Sequence, residues 1–138
     1  MDYLNNKFDI IRIHVSNFEG LSVYLSDNSD HTIEDRYIFS KLFNDYESYY
    51  SFIAEFPENI NRYDKEYFVD NSLIVMFNDE RSGSNRLAIS DVSIVDNNID
   101  ITINRERELT MDMAYLVMFY EVDNKDLVSS SVHIEDIY

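Results

Sequence analysis

Histidine is the side chain best able to move a proton or hold a metal near neutral pH, and the chain has three: His14, His31 and His133. They lie far apart in sequence and share no ligand spacing such as H-E-x-x-H. Each reads as a surface histidine. The run Asp27-Asn28-Ser29-Asp30-His31 offers oxygen ligands of the kind calcium takes, yet it lacks the glycine and closing glutamate of an EF-hand loop. Asx hydrogen bonds in a turn account for its composition. Serine hydrolysis needs a nucleophile held against a base, and no G-x-S-x-G occurs; Ser82-Gly83-Ser84 has the composition of a turn. Carboxylates are so abundant that pairs arise by chance, which gives glycosidase chemistry no specific foothold. Phosphate-binding glycine loops are missing, and no cysteine exists to serve as nucleophile, disulfide or thiolate ligand. The residues therefore predict no catalytic group, no metal site, no cofactor and no enzyme.

What remains is charge. Twenty-seven acidic residues face 11 basic ones, for a net charge of −16. Such an excess keeps a protein soluble and repels nucleic acid and anionic membranes, both of which demand positive charge. It favours a basic protein partner. Candidate partner-binding residues are Asp27, Asp30, Glu34, Asp35, Tyr46, Glu47, Tyr49, Asp79 and Glu80, where carboxylates cluster or adjoin tyrosines. Arg81, Arg86, Arg105 and Arg107 interrupt the acidic field. They could form an anion site, but they alternate with Glu80, Glu106 and Glu108, which reads as surface ion pairing of small net value.

Those residues must be carried by definite elements. Phe8 to Val15 alternates as a half-buried strand, with Ile11, Ile13 and Val15 on one face, and Leu21 to Leu25 does the same. From Phe39 the period changes. Phe39, Leu42, Phe43, Tyr46, Tyr49, Tyr50, Ile53 and Phe56 recur at helical spacing, with Asn44 and Glu47 resembling a capping box and Pro57 ending the element. A short helix is expected from Asp64 to Val69, capped by Asp64. Leu73 to Phe77 and Tyr115 to Phe119 are continuous apolar runs, which fits strands covered on both faces. Arg86 to Val95 slips phase near Ser90 and Asp91, as a bulge requires. Asp96 to Asn98 makes a hairpin turn into the alternating Ile99, Ile101 and Ile103. Val132, Ile134 and Ile137 suggest a last, weak strand.

With 45% hydrophobic and 14% aromatic residues over 138 positions, the chain can bury one core without disulfide or metal. No linker or repeat divides it, so residues 1–138 read as a single domain. The expected class is α+β: one main amphipathic helix plus a short helix, packed on a largely antiparallel sheet curled towards a barrel or sandwich. Asp2 falls where a secretory signal would need positive charge and an apolar run, and no apolar run is long enough to span a bilayer. The cytoplasm is the expected location.

Several patches carry a resemblance: Tyr63-Asp64-Lys65-Glu66-Tyr67-Phe68, Asn71-Ser72-Leu73-Ile74-Val75, Ser82-Gly83-Ser84-Asn85-Arg86, Val92-Ser93-Ile94, Ile99-Asp100-Ile101-Thr102-Ile103, Asp112-Met113-Ala114 and Glu121-Val122. Over about residues 40–125 the sequence resembles the C-terminal domain of PrcB-type protease-complex subunits and related uncharacterised bacterial proteins. The family's small-Gly-Gly-Tyr patch stands here as Ser82-Gly83-Ser84-Asn85, without the second glycine or the tyrosine. The resemblance implies a β-rich, non-enzymatic domain that associates with other proteins. Two functions are thus expected: an acidic module binding a basic partner, as an immunity or inhibitor protein or a nucleic-acid mimic, or an accessory or scaffolding subunit of a bacterial complex.

Overall fold

A strand that is apolar at both parities needs cover on both of its faces. In the computed structural model of the protein, which describes residues 7–13, 39–55, 60–80, 86–106 and 114–137, two such strands form the centre. They are β3 (Ser72–Glu80) and β6 (Ala114–Val122), paired antiparallel with Val75 opposite Phe119. β1 (Phe8–Ile13) pairs with β6 and β2 (Phe39–Phe43) with β3, giving a four-stranded antiparallel sheet in the order β1-β6-β3-β2.

One face of this sheet is covered by α1 (Tyr46–Ile53) and by the segment around a 3-10 turn at Tyr67–Val69. There Phe43, Leu73, Val75, Phe77, Val117 and Phe119 meet Tyr49, Phe52, Ile53, Ile60 and Phe68. The other face is covered by a second sheet of three strands, β4 (Arg86–Val95), β5 (Asn98–Glu106) and β7 (Ser129–Ile137), in the order β4-β5-β7. Ile74, Met76, Leu116 and Met118 pack there against Ile89, Ile99, Ile101, Ile103 and Val132. Ile99, Ile101 and Ile103 are completely buried, each contributing roughly 1.5–3 kcal/mol of transfer free energy.

The expected α+β class is overturned. The protein is predominantly β, with two open sheets in place of one curled sheet, and α1 is a single short cover. The helical-period run from Phe39 divides. Its first five residues form β2, which sends Leu42 towards the second sheet and Phe43 towards α1, so apolar residues on both faces imitate a helical pattern. The helix cap is Asp45, not Asn44: its Oδ1 accepts from Ser48 N at 2.8 Å and its Oδ2 from Ser48 Oγ at 3.1 Å. Asn44 instead closes a tertiary knot. Its Nδ2 donates to Leu127 O at 3.0 Å, and the Ser72 hydroxyl lies 2.5 Å from its Oδ1 and 2.8 Å from Asn124 O.

The pairing is largely antiparallel, as expected, with one exception: β7 runs parallel to β5. The chain leaves β5, crosses to the first sheet as β6, and returns as β7, so two strands of the same direction become neighbours. The bulge falls where expected, between Ile89 and Asp91. The short helix expected over Asp64–Val69 shrinks to the 3-10 turn at Tyr67–Val69, with Glu66 at its N-cap position, while Asp64 Oδ1 accepts from Tyr67 N at 3.1 Å. The turn into β5 is made by Asp96 and Asn97 with φ of 53° and 61°. That is the mirror-image turn suited to twisted hairpins, which Asp and Asn enter at less cost than other residues with a Cβ. The expected strand at Leu21–Leu25 lies outside the described residues.

Candidate interaction surface

The candidate partner residues do not come together as one site. Asp27, Asp30, Glu34 and Asp35 lie outside the described residues. Asp79 and Glu80 sit at the far end of β3, opposite Tyr115 and Ala114. Glu47 is exposed on the first turn of α1 and Tyr46 is half-buried beside it. Tyr49 has no exposed surface, so it belongs to the core rather than to a docking face. Three tyrosines at helical spacing do not announce which points inward. Here the central one does, because the rings of Phe43, Tyr63 and Phe68 enclose it at centroid distances of 5.2–6.0 Å.

This aromatic layer binds its hydroxyls tightly. Tyr49 donates to Asn61 Oδ1 at 2.7 Å and accepts from Arg62 N at 3.2 Å. Tyr67 donates to Ser72 O at 2.7 Å, and Tyr63 to Glu121 Oε2 at 3.0 Å. Burial pushes all three hydroxyls above the ordinary tyrosine value, and for Tyr63 and Tyr67 the Glu121 carboxylate raises them further. A tyrosine poised as a base or nucleophile needs the opposite shift. These three hold structure.

Beside them, a depression of about 190 Å³ opens between Tyr46, Phe68 and Val69. Tyr46 stacks on the exposed Tyr50 at 5.6 Å, and Lys65 Nζ lies 5.9 Å from the centre of the Tyr46 ring. The rim carries Asp45 and Glu47 but also Lys65 and Lys125, so its charge balances. Lys125 Nζ donates to Phe68 O at 2.5 Å, which commits that ammonium to the fold.

The second sheet presents a different surface. Its inner face is the isoleucine core, and its outer face alternates with it. Across β4, β5 and β7 the outward rows are Val95-Asn98-Ser129, Ser93-Asp100-Ser131, Asp91-Thr102-His133, Ala88-Asn104-Glu135 and Arg86-Glu106-Ile137. Most side chains in these rows are short and polar. Ser129 Oγ donates to Asn98 Oδ1 at 2.6 Å, and His133 Nε2 stands 3.9 Å from Asp100 Oδ1. Four carboxylates, from Asp91, Asp100, Glu106 and Glu135, share the face with one arginine, Arg86. Sequence reading resolved the inward isoleucines but did not take the intervening residues as a surface; the signal was the polar member of each alternating pair.

Of the arginines considered for an anion site, Arg81 and Arg107 lie outside the described residues and Arg86 is exposed opposite Glu106. Arg105 is not a surface residue. It continues the inward series of Ile99, Ile101 and Ile103, is 5% exposed, and pairs with Asp136. Among the described residues no group of three His, Asp or Glu side chains converges as a metal site would require. No helix among them is long and apolar enough to cross a membrane.

Comparison with known proteins gives no family model, no curated protein and no solved structure that matches this chain.

Proposed function

We propose that the chain is a non-enzymatic, acidic interaction module that holds a basic protein partner, in the manner of an immunity or inhibitor protein or of a nucleic-acid mimic. The observation that carries this reading is the net charge of −16 on a chain of 138 residues. A potential of this sign steers a basic protein into encounter and weakens as salt screens it. Nucleic acid and anionic lipid are repelled by the same field.

The test is calorimetric titration against a set of basic proteins and size-matched acidic ones, at low and at physiological salt. Saturable binding to a basic protein, with affinity falling steadily as salt rises, is the expected result. Equal indifference to both sets, or substrate turnover by the purified chain, would end the reading.

A second reading is an accessory subunit of a bacterial complex, and it rests on the PrcB-like patches. Tyr63, Tyr67, Phe68 and Ser72, which carry part of that resemblance, build the aromatic cover and its hydrogen bonds. Salt-insensitive co-purification with a partner of ordinary charge would favour this reading over the first.

A further inference from the structure

Resting on that reading, we infer that the basic partner seats on the exposed outer face of the three-stranded sheet β4-β5-β7, against Asp91, Asp100, Glu106 and Glu135.

The layering singles out this face. The four-stranded sheet is covered on one side by α1 and the Tyr67–Val69 turn, and on the other by the second sheet. Among the described residues, the second sheet is covered on its inner side only. Its outward positions are polar except at Val95, Ala88 and Ile137, and its central strand presents Asn98, Asp100, Thr102 and Asn104, whose side chains are short. A partner can therefore lie flat across it.

Charge then selects the occupant. Four carboxylates against one arginine leave the face negative, and the rest of the molecule adds to that field. A second copy would bring one net-negative face against another, which is repulsive overall. Lysine and arginine side chains of a basic protein meet the face with opposite sign. Two apolar residues mark its diagonal corners: Val95 at the hairpin end of β4, 65% exposed, and Ile137 at the far end of β7, 42% exposed. They are positions where a partner's apolar side chains can exclude water around the charged centre. The depression near Tyr46 is a poorer seat, because its rim mixes Lys65 and Lys125 with its carboxylates.

The size of the face sets the kind of complex. Five rows span about 26 Å along the strands and about 10 Å across the three backbones. That is well under the roughly 800 Å² per partner of a standard interface, so binding here is fast and salt-sensitive unless the partner also wraps the sheet edges.

The experiment compares two charge-reversal sets in the full chain, with an oligolysine peptide and a basic globular protein as probes. One set is Asp91→Lys, Asp100→Lys and Glu135→Lys on the face. The other is Glu55→Lys, Glu66→Lys and Asp70→Lys on exposed positions of the α1 side, and it changes net charge equally. Amide chemical-shift mapping of the wild-type chain with each probe is run alongside. The expected result is about a tenfold or greater loss of affinity for the face set against about twofold for the control, with shifts concentrated on outward residues of β4, β5 and β7. Equal losses, or shifts spread over all exposed carboxylates, overturn the placement and leave the acidic-module reading standing. Wild-type chain that binds neither probe overturns both. Self-association abolished by the face set overturns the choice of occupant. Should the face set fail to fold, Asp100→Asn with Glu135→Gln, measured against Glu55→Gln with Glu66→Gln, makes the same comparison.

Discussion

Arg105 and Asp136 stand opposite each other on the parallel strands β5 and β7, with Arg105 Nη1 3.3 Å from Asp136 Oδ1. The arginine is 5% exposed at the end of an isoleucine core, whereas the aspartate side chain is 32% exposed. A buried guanidinium tolerates its position only while its partners remain. Asp136→Ala is expected to destabilise the fold by about 1.5–3 kcal/mol, the worth of one charge-assisted hydrogen bond to a group that stays buried. Arg105→Met, which removes the charge and keeps the apolar stem, is expected to cost less. Urea denaturation of the two variants measures the order; a larger loss for Arg105→Met would mean that the arginine stabilises by more than its pairing.

A second prediction concerns the Ser72 knot. One hydroxyl proton faces both Asn44 Oδ1 and Asn124 O, joining the end of β2, the start of β3 and the segment between β6 and β7. Ser72 is fully buried. Ser72→Ala should lower stability by about 1–3 kcal/mol, the usual cost of orphaning buried acceptors, as read from the denaturation midpoint. Ser40 provides the contrast. Its Oγ is buried and has no hydrogen-bond partner among the described residues, so Ser40→Ala is expected to be neutral or stabilising.

Alkaline pH gives a third test. Tyr49, Tyr63 and Tyr67 have folded-state pKa values above the unfolded value of about 10. The native state thus holds more protons than the unfolded state once pH passes that value. Stability from this source is complete below pH of about 10 and declines as pH rises beyond it, with a negative slope of unfolding free energy against pH. Denaturation midpoints collected on both sides of pH 10 should show the decline, and Tyr63→Phe should flatten it. Near-ultraviolet absorbance should show these tyrosines ionising only as the protein unfolds.

The helix cap supplies a fourth. Asp45→Ala removes the acceptor for Ser48 N and is expected to cost about 1 kcal/mol, whereas Asn44→Ala should act through the Leu127 and Ser72 contacts instead. Combining Asn44→Ala with Ser72→Ala should cost less than the two separate losses together, while Asp45→Ala should add independently. Additivity across both pairs would contradict the shared knot.

How legible the fold was depended on how far each signal reached along the chain. Alternation at Ile99, Ile101 and Ile103, the slip at Ser90 and Asp91, and the doubly apolar runs of β3 and β6 are local patterns, and each produced the feature it implied. Phe39–Phe43 misled because a strand with apolar residues on both faces has no period of two to display. The split into two sheets and the parallel pairing of β5 with β7 join residues some 30 positions apart, which no local window contains. On the outer face of the second sheet the outward residues were visible as polar partners of the isoleucines, yet only the sheet shows that no other described element packs on them. Arg105 was within reach of the pattern: the series 99, 101, 103 continues to it, as Val132 and Ile134 continue to Asp136.

The return of the chain through β6 before β7 has a cost in time. β5 is made early and can fold back on β4 at once through the Asp96-Asn97 turn, but its other edge stays open until β6 has crossed and β7 has been synthesised. During that interval a strand bearing three isoleucines offers unpaired amides to any neighbouring chain. Late, long-range closure of this kind makes folding slow and exposes the nascent protein to self-association. The aspartates and glutamates on the outward side of that hairpin set like charge against like between neighbouring nascent chains, which opposes edge-to-edge pairing while β5 waits for β7.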